Sequence, residues 1–174
     1  MFGMRPGMFG GPSGSPPMWE LIEKKSGTGA SGRISFTGLD GDTDKFYKAI
    51  GFLVPGSSVD IRWEFNGATT SMGSRVWGEN GTLWQTDGST ASTMLMAFQT
   101  SPLQLRTILY AGTSSNDRIA RSNLDGASTN IDINTSHNTL ENTTNITSID
   151  LVVSTGNWAT TTHVWLYKLT APVG

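Results

Sequence analysis

From residue 19 onward, apolar and polar residues alternate with a period of two, and Asn-Gly, Asp-Gly and Pro-Gly pairs cut the runs short. That pairing of features constrains the fold more than anything else in the chain. A period of two puts successive side chains on opposite faces of a strand, and Asn-Gly or Asp-Gly supplies the positive φ that tight turns demand. The runs 19–25, 33–37, 46–54, 59–65, 82–85, 93–99, 103–111, 118–122, 130–133, 146–153 and 163–169 read as strands. Turn pairs fall at Pro55-Gly56, Asn66-Gly67, Asn80-Gly81, Asp87-Gly88, Asp125-Gly126 and Gly156-Asn157. No window carries a sustained helical stripe. The expectation is an all-β chain: an antiparallel, jelly-roll-like β-sandwich over residues 19–174, whose first and last strands are free to pair in one sheet.

Residues 1–18 break the pattern. They are Gly, Pro, Met, Phe and Ser on a backbone unable to form a helix or a central strand. An extended N-terminal arm is expected, with Phe2, Met4, Met8 and Phe9 as adaptable apolar anchors against a neighbouring subunit.

Charge narrows the classes of partner. Only 15% of the chain is Asp, Glu, Lys or Arg, against about 25% in ordinary domains. Net charge is −2, with no basic block, so the positive stripe of a nucleic-acid binder is not written here. No long apolar run marks a membrane span, and the first residues lack the apolar core of a secretory signal. With no cysteine, disulfide and thiolate chemistry are excluded.

The stretch Asp40-Gly41-Asp42-Thr43-Asp44 raises a metal question. Counted as an EF-hand loop from Asp40, the sixth position holds Lys45 instead of Gly and the twelfth holds Gly51 instead of Glu. Both fail, which leaves Asp40, Asp42 and Asp44 as weak metal candidates. A tight, solvated turn between strands, with Gly41 taking the unusual φ, is the expected arrangement.

Other chemistry is sparse. His137, in a polar stretch read as loop, and His163, in the last strand, are isolated from metal-ligand spacings. No nucleophile elbow, phosphate loop or zincin helix occurs, so no catalytic residue, cofactor or enzymatic activity is expected. Four Asn-x-Ser/Thr triplets, at Asn80, Asn134, Asn142 and Asn145, read as coincidence in so Thr- and Asn-rich a chain. Six tryptophans carry more weight. Trp63 with Phe65, and Trp165 with Tyr167 and Leu169, share strand faces and read as core. Trp77 and Trp158, near turns, read as the exposed pair and as potential glycan contacts.

The run Ile34-Ser35-Phe36-Thr37-Gly38-Leu39-Asp40-Gly41-Asp42-Thr43-Asp44, with Trp19-Glu20-Leu21-Ile22-Glu23 before it, resembles a signature of small β-rich bacteriophage virion accessory proteins. Arg62-Trp63-Glu64-Phe65-Asn66-Gly67 is similar to that group's Phe-Asn-Gly hairpin. The resemblance covers residues 19–67 and continues beyond them only in general character. It implies a virion structural protein made in the host cytoplasm, a homo-oligomer, with a trimer expected, acting as a capsid decoration or cement protein on the major capsid protein. The alternative it leaves open is a tail-fibre or head-spike module that binds host-surface glycan. It transfers no catalytic residue.

Overall fold

The computed structural model describes residues 17–56, 59–67, 72–77, 83–86, 94–99, 102–112, 118–126, 136–140 and 145–170, with only the backbone course given for several central strands. The arm residues Phe2, Met4, Met8 and Phe9, and the expected strand at 130–133, lie outside the described residues.

Among the described residues, twelve strands and one short helix follow one another: β1 (Trp19–Ser26), β2 (Arg33–Thr37), α1 (Gly41–Asp44), β3 (Phe46–Leu53), β4 (Val59–Phe65), β5 (Met72–Trp77), β6 (Leu83–Thr86), β7 (Met94–Gln99), β8 (Leu103–Tyr110), β9 (Arg118–Gly126), β10 (Ser136–Leu140), β11 (Ser148–Val153) and β12 (His163–Leu169). They form an eight-stranded sheet, β1-β12-β3-β8-β9-β10-β5-β6, and a four-stranded sheet, β2-β11-β4-β7. All pairings are antiparallel, and β1 does pair with β12.

The pairings are nested. The outermost partners in sequence are β1 with β12, then β2 with β11, then β3 with β8, and innermost β4 with β7. The chain crosses between the sheets at each step. The remaining strands come as two insertions, β5-β6 and β9-β10, which zip together through β10 and β5 and extend the larger sheet beyond β8.

One core lies between the sheets. Ile34 and Phe36, Ile61, Trp63 and Phe65, and Ile149, Leu151 and Val153 face inward from the smaller sheet. Tyr47, Ala49 and Leu53, Leu103, Leu105 and Leu109, and Val164 and Leu166 meet them from the larger one. A short polar chain crosses this core. The Trp63 indole N–H donates to Thr107 Oγ1 at 3.1 Å, and Thr107 lies 2.6 Å from Ser122 Oγ. Each of these three buried groups thereby finds a partner, which burial requires.

The two ends close differently. At one end α1 sits beneath the segment 145–147: Leu39 and Gly41 donate backbone bonds to Thr147 and Ile146. Asn66 fastens the same segment, its Oδ1 accepting from Thr147 and Ser148 and its Nδ2 donating to Asn145 O at 2.7 Å. Asn66 and Gly67 have φ of 54° and 61°, the positive pair anticipated for Asn-Gly. The turn is not a two-residue hairpin, however, because β4 and β5 lie in different sheets. At the other end Trp158 plugs the sandwich, bridging to Pro55 and donating its indole N–H to Leu151 O at 3.3 Å.

Candidate functional site: the outer face of the larger sheet

The aspartate stretch forms a helical turn. Asp40 caps it, accepting from the Thr43 N–H at 3.2 Å and from the Thr43 hydroxyl at 2.8 Å. Asn145 completes the bracket: its Nδ2 donates to Asp40 Oδ1 and its Oδ1 accepts from the Asp42 N–H, both at 2.9 Å. Asp44 turns elsewhere, accepting from Tyr47 Oη at 2.8 Å and lying 3.6 Å from Lys168 Nζ. The carboxylates of Asp40 and Asp44 thus diverge. Among the described residues no cluster of three metal-ligating side chains occurs.

Gly41 does not take the unusual φ. That falls to Gly38 (72°) and Lys45 (63°), which bracket the turn. Gly41 is needed for space instead: a Cβ there would stand 2.9 Å from Ile146 Cβ and 3.1 Å from Ala111 Cβ.

The hydroxyl of Thr43 foremost, then Asn145, holds the Asp40 carboxyl below its ordinary value of 3.8. A carboxylate whose folded pKa lies under its unfolded one contributes stability above the unfolded value and loses it as pH falls through the folded one. The urea midpoint of the native chain should therefore fall more steeply on acidification below that value than the midpoint of Asp40→Asn, which keeps a capping side chain. Parallel urea titrations across the acid range check this.

The tryptophan assignments divide. Trp63 and Phe65 are core, as expected. Trp165, Tyr167 and Leu169 are not: Val164 and Leu166 face the core, and the aromatic positions of β12 point outward, half-buried. Trp158, expected to be exposed, is fully buried, because the loop that carries it folds back over the end of the sandwich. It offers no surface to a glycan. Trp77 ends β5, and its side chain lies outside the described residues. His137 falls in β10 rather than in a loop, and its side chain is likewise outside them. His163 opens β12, 2.8 Å from Ser26 Oγ.

What the sequence reading missed is a surface. Register places the outward residues of four adjacent strands side by side. Trp19, Leu21 and Lys24 of β1 oppose Leu169, Tyr167 and Trp165 of β12, and Tyr167, Trp165 and His163 oppose Lys48, Ile50 and Phe52 of β3. Phe46, Lys48 and Ile50 then oppose Tyr110, Ile108 and Arg106 of β8. Large apolar groups stand open to solvent here: Leu21 (49% exposed), Ile108 (46%), Phe52 (42%), Ile50 (38%) and Phe46 (37%). Three of the aromatic rings on this face lie under lysine ammonium groups. Lys48 Nζ lies 4.5 Å from the Trp19 ring and 5.2 Å from that of Tyr167, and Lys24 Nζ lies 5.2 Å from Trp165. With strands about 4.8 Å apart and about 3.3 Å per residue, the four strands present a mixed apolar and cationic face of about 500 Å².

The smaller sheet turns a different face outward. Glu64 of β4 and Asp150 of β11 stand directly opposite one another, both buried. Like charges in that position repel. Arg33 of β2 resolves the conflict, with Nη2 2.5 Å from Glu64 Oε2 and Nη1 3.0 Å from Asp150 Oδ2. Arg62 Nε adds a longer contact to Glu64, 3.6 Å. Each carboxylate is occupied by an arginine, which makes the group a clamp across three strands. Inside the sandwich, a void among Tyr47, Trp63, Thr107 and Leu166 measures about 10 Å³, a packing gap on the scale of one water.

The chain matches no known protein-family model, and no curated protein is significantly similar to it. Among the described residues no helix is long and apolar enough to cross a membrane.

Proposed function

We propose that this protein is a structural component of a bacteriophage particle, a decoration or cement protein that seats against major capsid subunits and works through subunit contacts. The observation that carries the reading is the larger sheet's second apolar face. A sheet that already has its core on one side gains nothing from exposing Leu21, Phe46, Ile50, Phe52 and Ile108 on the other unless something covers them. The sequence resemblance over residues 19–67 supports a virion role. So does the nested pairing, which we read as the eight strands of a jelly roll (β1 to β4, β7, β8, β11 and β12) with two hairpin inserts. That architecture recurs in capsid and lectin domains, an analogy of fold alone.

The fibre or spike alternative retains less support, since one of its two proposed glycan contacts, Trp158, is interior. Counting this chain against the major capsid protein in purified particles, by quantitative mass spectrometry, decides between them. A number comparable to the shell protein is expected. A few copies per particle would move the protein to a tail, fibre or vertex, and absence from the particle would overturn the reading.

A further inference from the structure

We propose that the outer face of β1-β12-β3-β8 is filled by a second copy of this chain, which meets it head to tail with a different, acidic surface and so builds a closed ring. The inference rests on the reading above that the protein works through subunit contacts, and it says which contact.

The chemistry of the exposed groups points to protein as occupant. The tryptophan and tyrosine rings best suited to stack on a sugar, those of Trp19, Trp165 and Tyr167, already carry lysine ammonium groups. What stands open is leucine, isoleucine and phenylalanine, which lack any polar handle. Such groups are satisfied by other apolar side chains.

Charge then selects the partner surface. Among the described outward residues of β1, β12, β3, β8 and β9, Lys24, Lys48, Arg106 and Arg121 are opposed only by the acid Asp125. Lys48 sits in the middle of the apolar patch, so covering the patch strips it of water, and a desolvated ammonium needs a carboxylate. Two copies packed face to face would set these cations against their own kind, which disfavours a two-fold dimer through this surface. The N-terminal arm is no better matched, since Arg5 is its only charged side chain before residue 17.

The end of the molecule that carries α1 has the opposite balance. Among the described residues there, Glu20, Asp40, Asp42 and Asp44 stand against Lys45 and Lys168, with Glu20 and Asp44 flanking Lys168 at 4.0 and 3.6 Å, and Asp40 and the apolar Met18 are exposed. A cationic apolar face and an acidic end are two different surfaces of one molecule. A contact between them is heterologous, and it propagates from copy to copy until the rotation closes a ring of three or more.

The test is the mass of the full-length chain in solution by sedimentation velocity, for the native protein, Lys48→Glu, and the double variant Ile50→Ser with Phe52→Ser. Far-UV circular dichroism and thermal melting run alongside to establish that the variants are folded. Expected is a discrete species of three or more copies that falls to monomer in both variants while their spectra stay native. A native monomer, a native dimer, or a ring that survives both variants would overturn the proposal. A ring of this chain that is missing from purified particles would overturn the virion reading and leave this one standing.

Discussion

Trp158→Ala should lower the unfolding free energy by about 3–5 kcal/mol, the range for deleting a buried tryptophan from a core. Denaturant titration against the native chain measures it. The upper part of the range is expected because the main chain around the hole is held in place. Trp158 is held by backbone on both flanks: its N–H donates to Ser31 O at 2.9 Å and its carbonyl accepts from Gly29 N at 3.0 Å. Gly27 packs against it so closely that an added Cβ would stand 2.9 Å from Trp158 Cβ and press on the Ala159 carbonyl. The main chain that carries Trp158 is thus pinned and poorly able to close over the space the indole leaves. A residue that looks in the sequence like a binding-loop tryptophan should therefore behave on substitution as a stability residue.

Arg33→Ala should cost about 2–3 kcal/mol. Removing one partner of a buried ion pair typically costs about 3–5 kcal/mol, and the Arg33 side chain is itself 43% exposed, so water screens part of the loss. What remains is the juxtaposition of Glu64 and Asp150, two buried carboxylates facing each other across β4 and β11. Arg33→Lys should fall between the native chain and Arg33→Ala, because an ammonium cannot span both acids as a guanidinium does. Adding Glu64→Gln to Arg33→Ala should recover part of the stability by removing one of the opposed charges. Urea midpoints of the four chains check the order, and a double variant no more stable than Arg33→Ala would sink the clamp reading.

Strand by strand, the fold was largely legible where period and burial agree. Arg33–Thr37, Val59–Phe65 and His163–Leu169 fall where alternation puts them. The strands it missed are those whose placement depends on neighbours. Ser136–Leu140 has hydroxyl and amide side chains and no apolar alternation, yet it pairs on both sides, with β9 and β5. The α1 turn was missed for a related reason. Its capping Asp40 is completed by Asn145, 105 positions away, and no local pattern announces such a partner.

The outer face was half legible. Phe46–Leu53 is apolar at both parities, with Tyr47, Ala49 and Leu53 inward and Phe46, Ile50 and Phe52 outward, the mark of a strand with something on each side. In β12 the larger residues, Trp165 and Tyr167, drew the core assignment. The smaller Val164 and Leu166 are the ones buried, since size alone does not say which face meets the other sheet.

The nested order of pairing also dictates when the domain can come into being. Met18 and Thr170 exchange hydrogen bonds across 152 positions of chain, and β12 lies between β1 and β3. On a ribosome the first strand emerges long before its neighbour exists. The inner pairs, β4 with β7 and β3 with β8, are the earliest that synthesis permits, and every later layer waits for the C-terminal strands. Contacts of such long reach make folding slow. Until β12 arrives, β1 has no strand beside it and β3 has one bare edge, and the nascent chain must be kept from pairing those edges with its siblings.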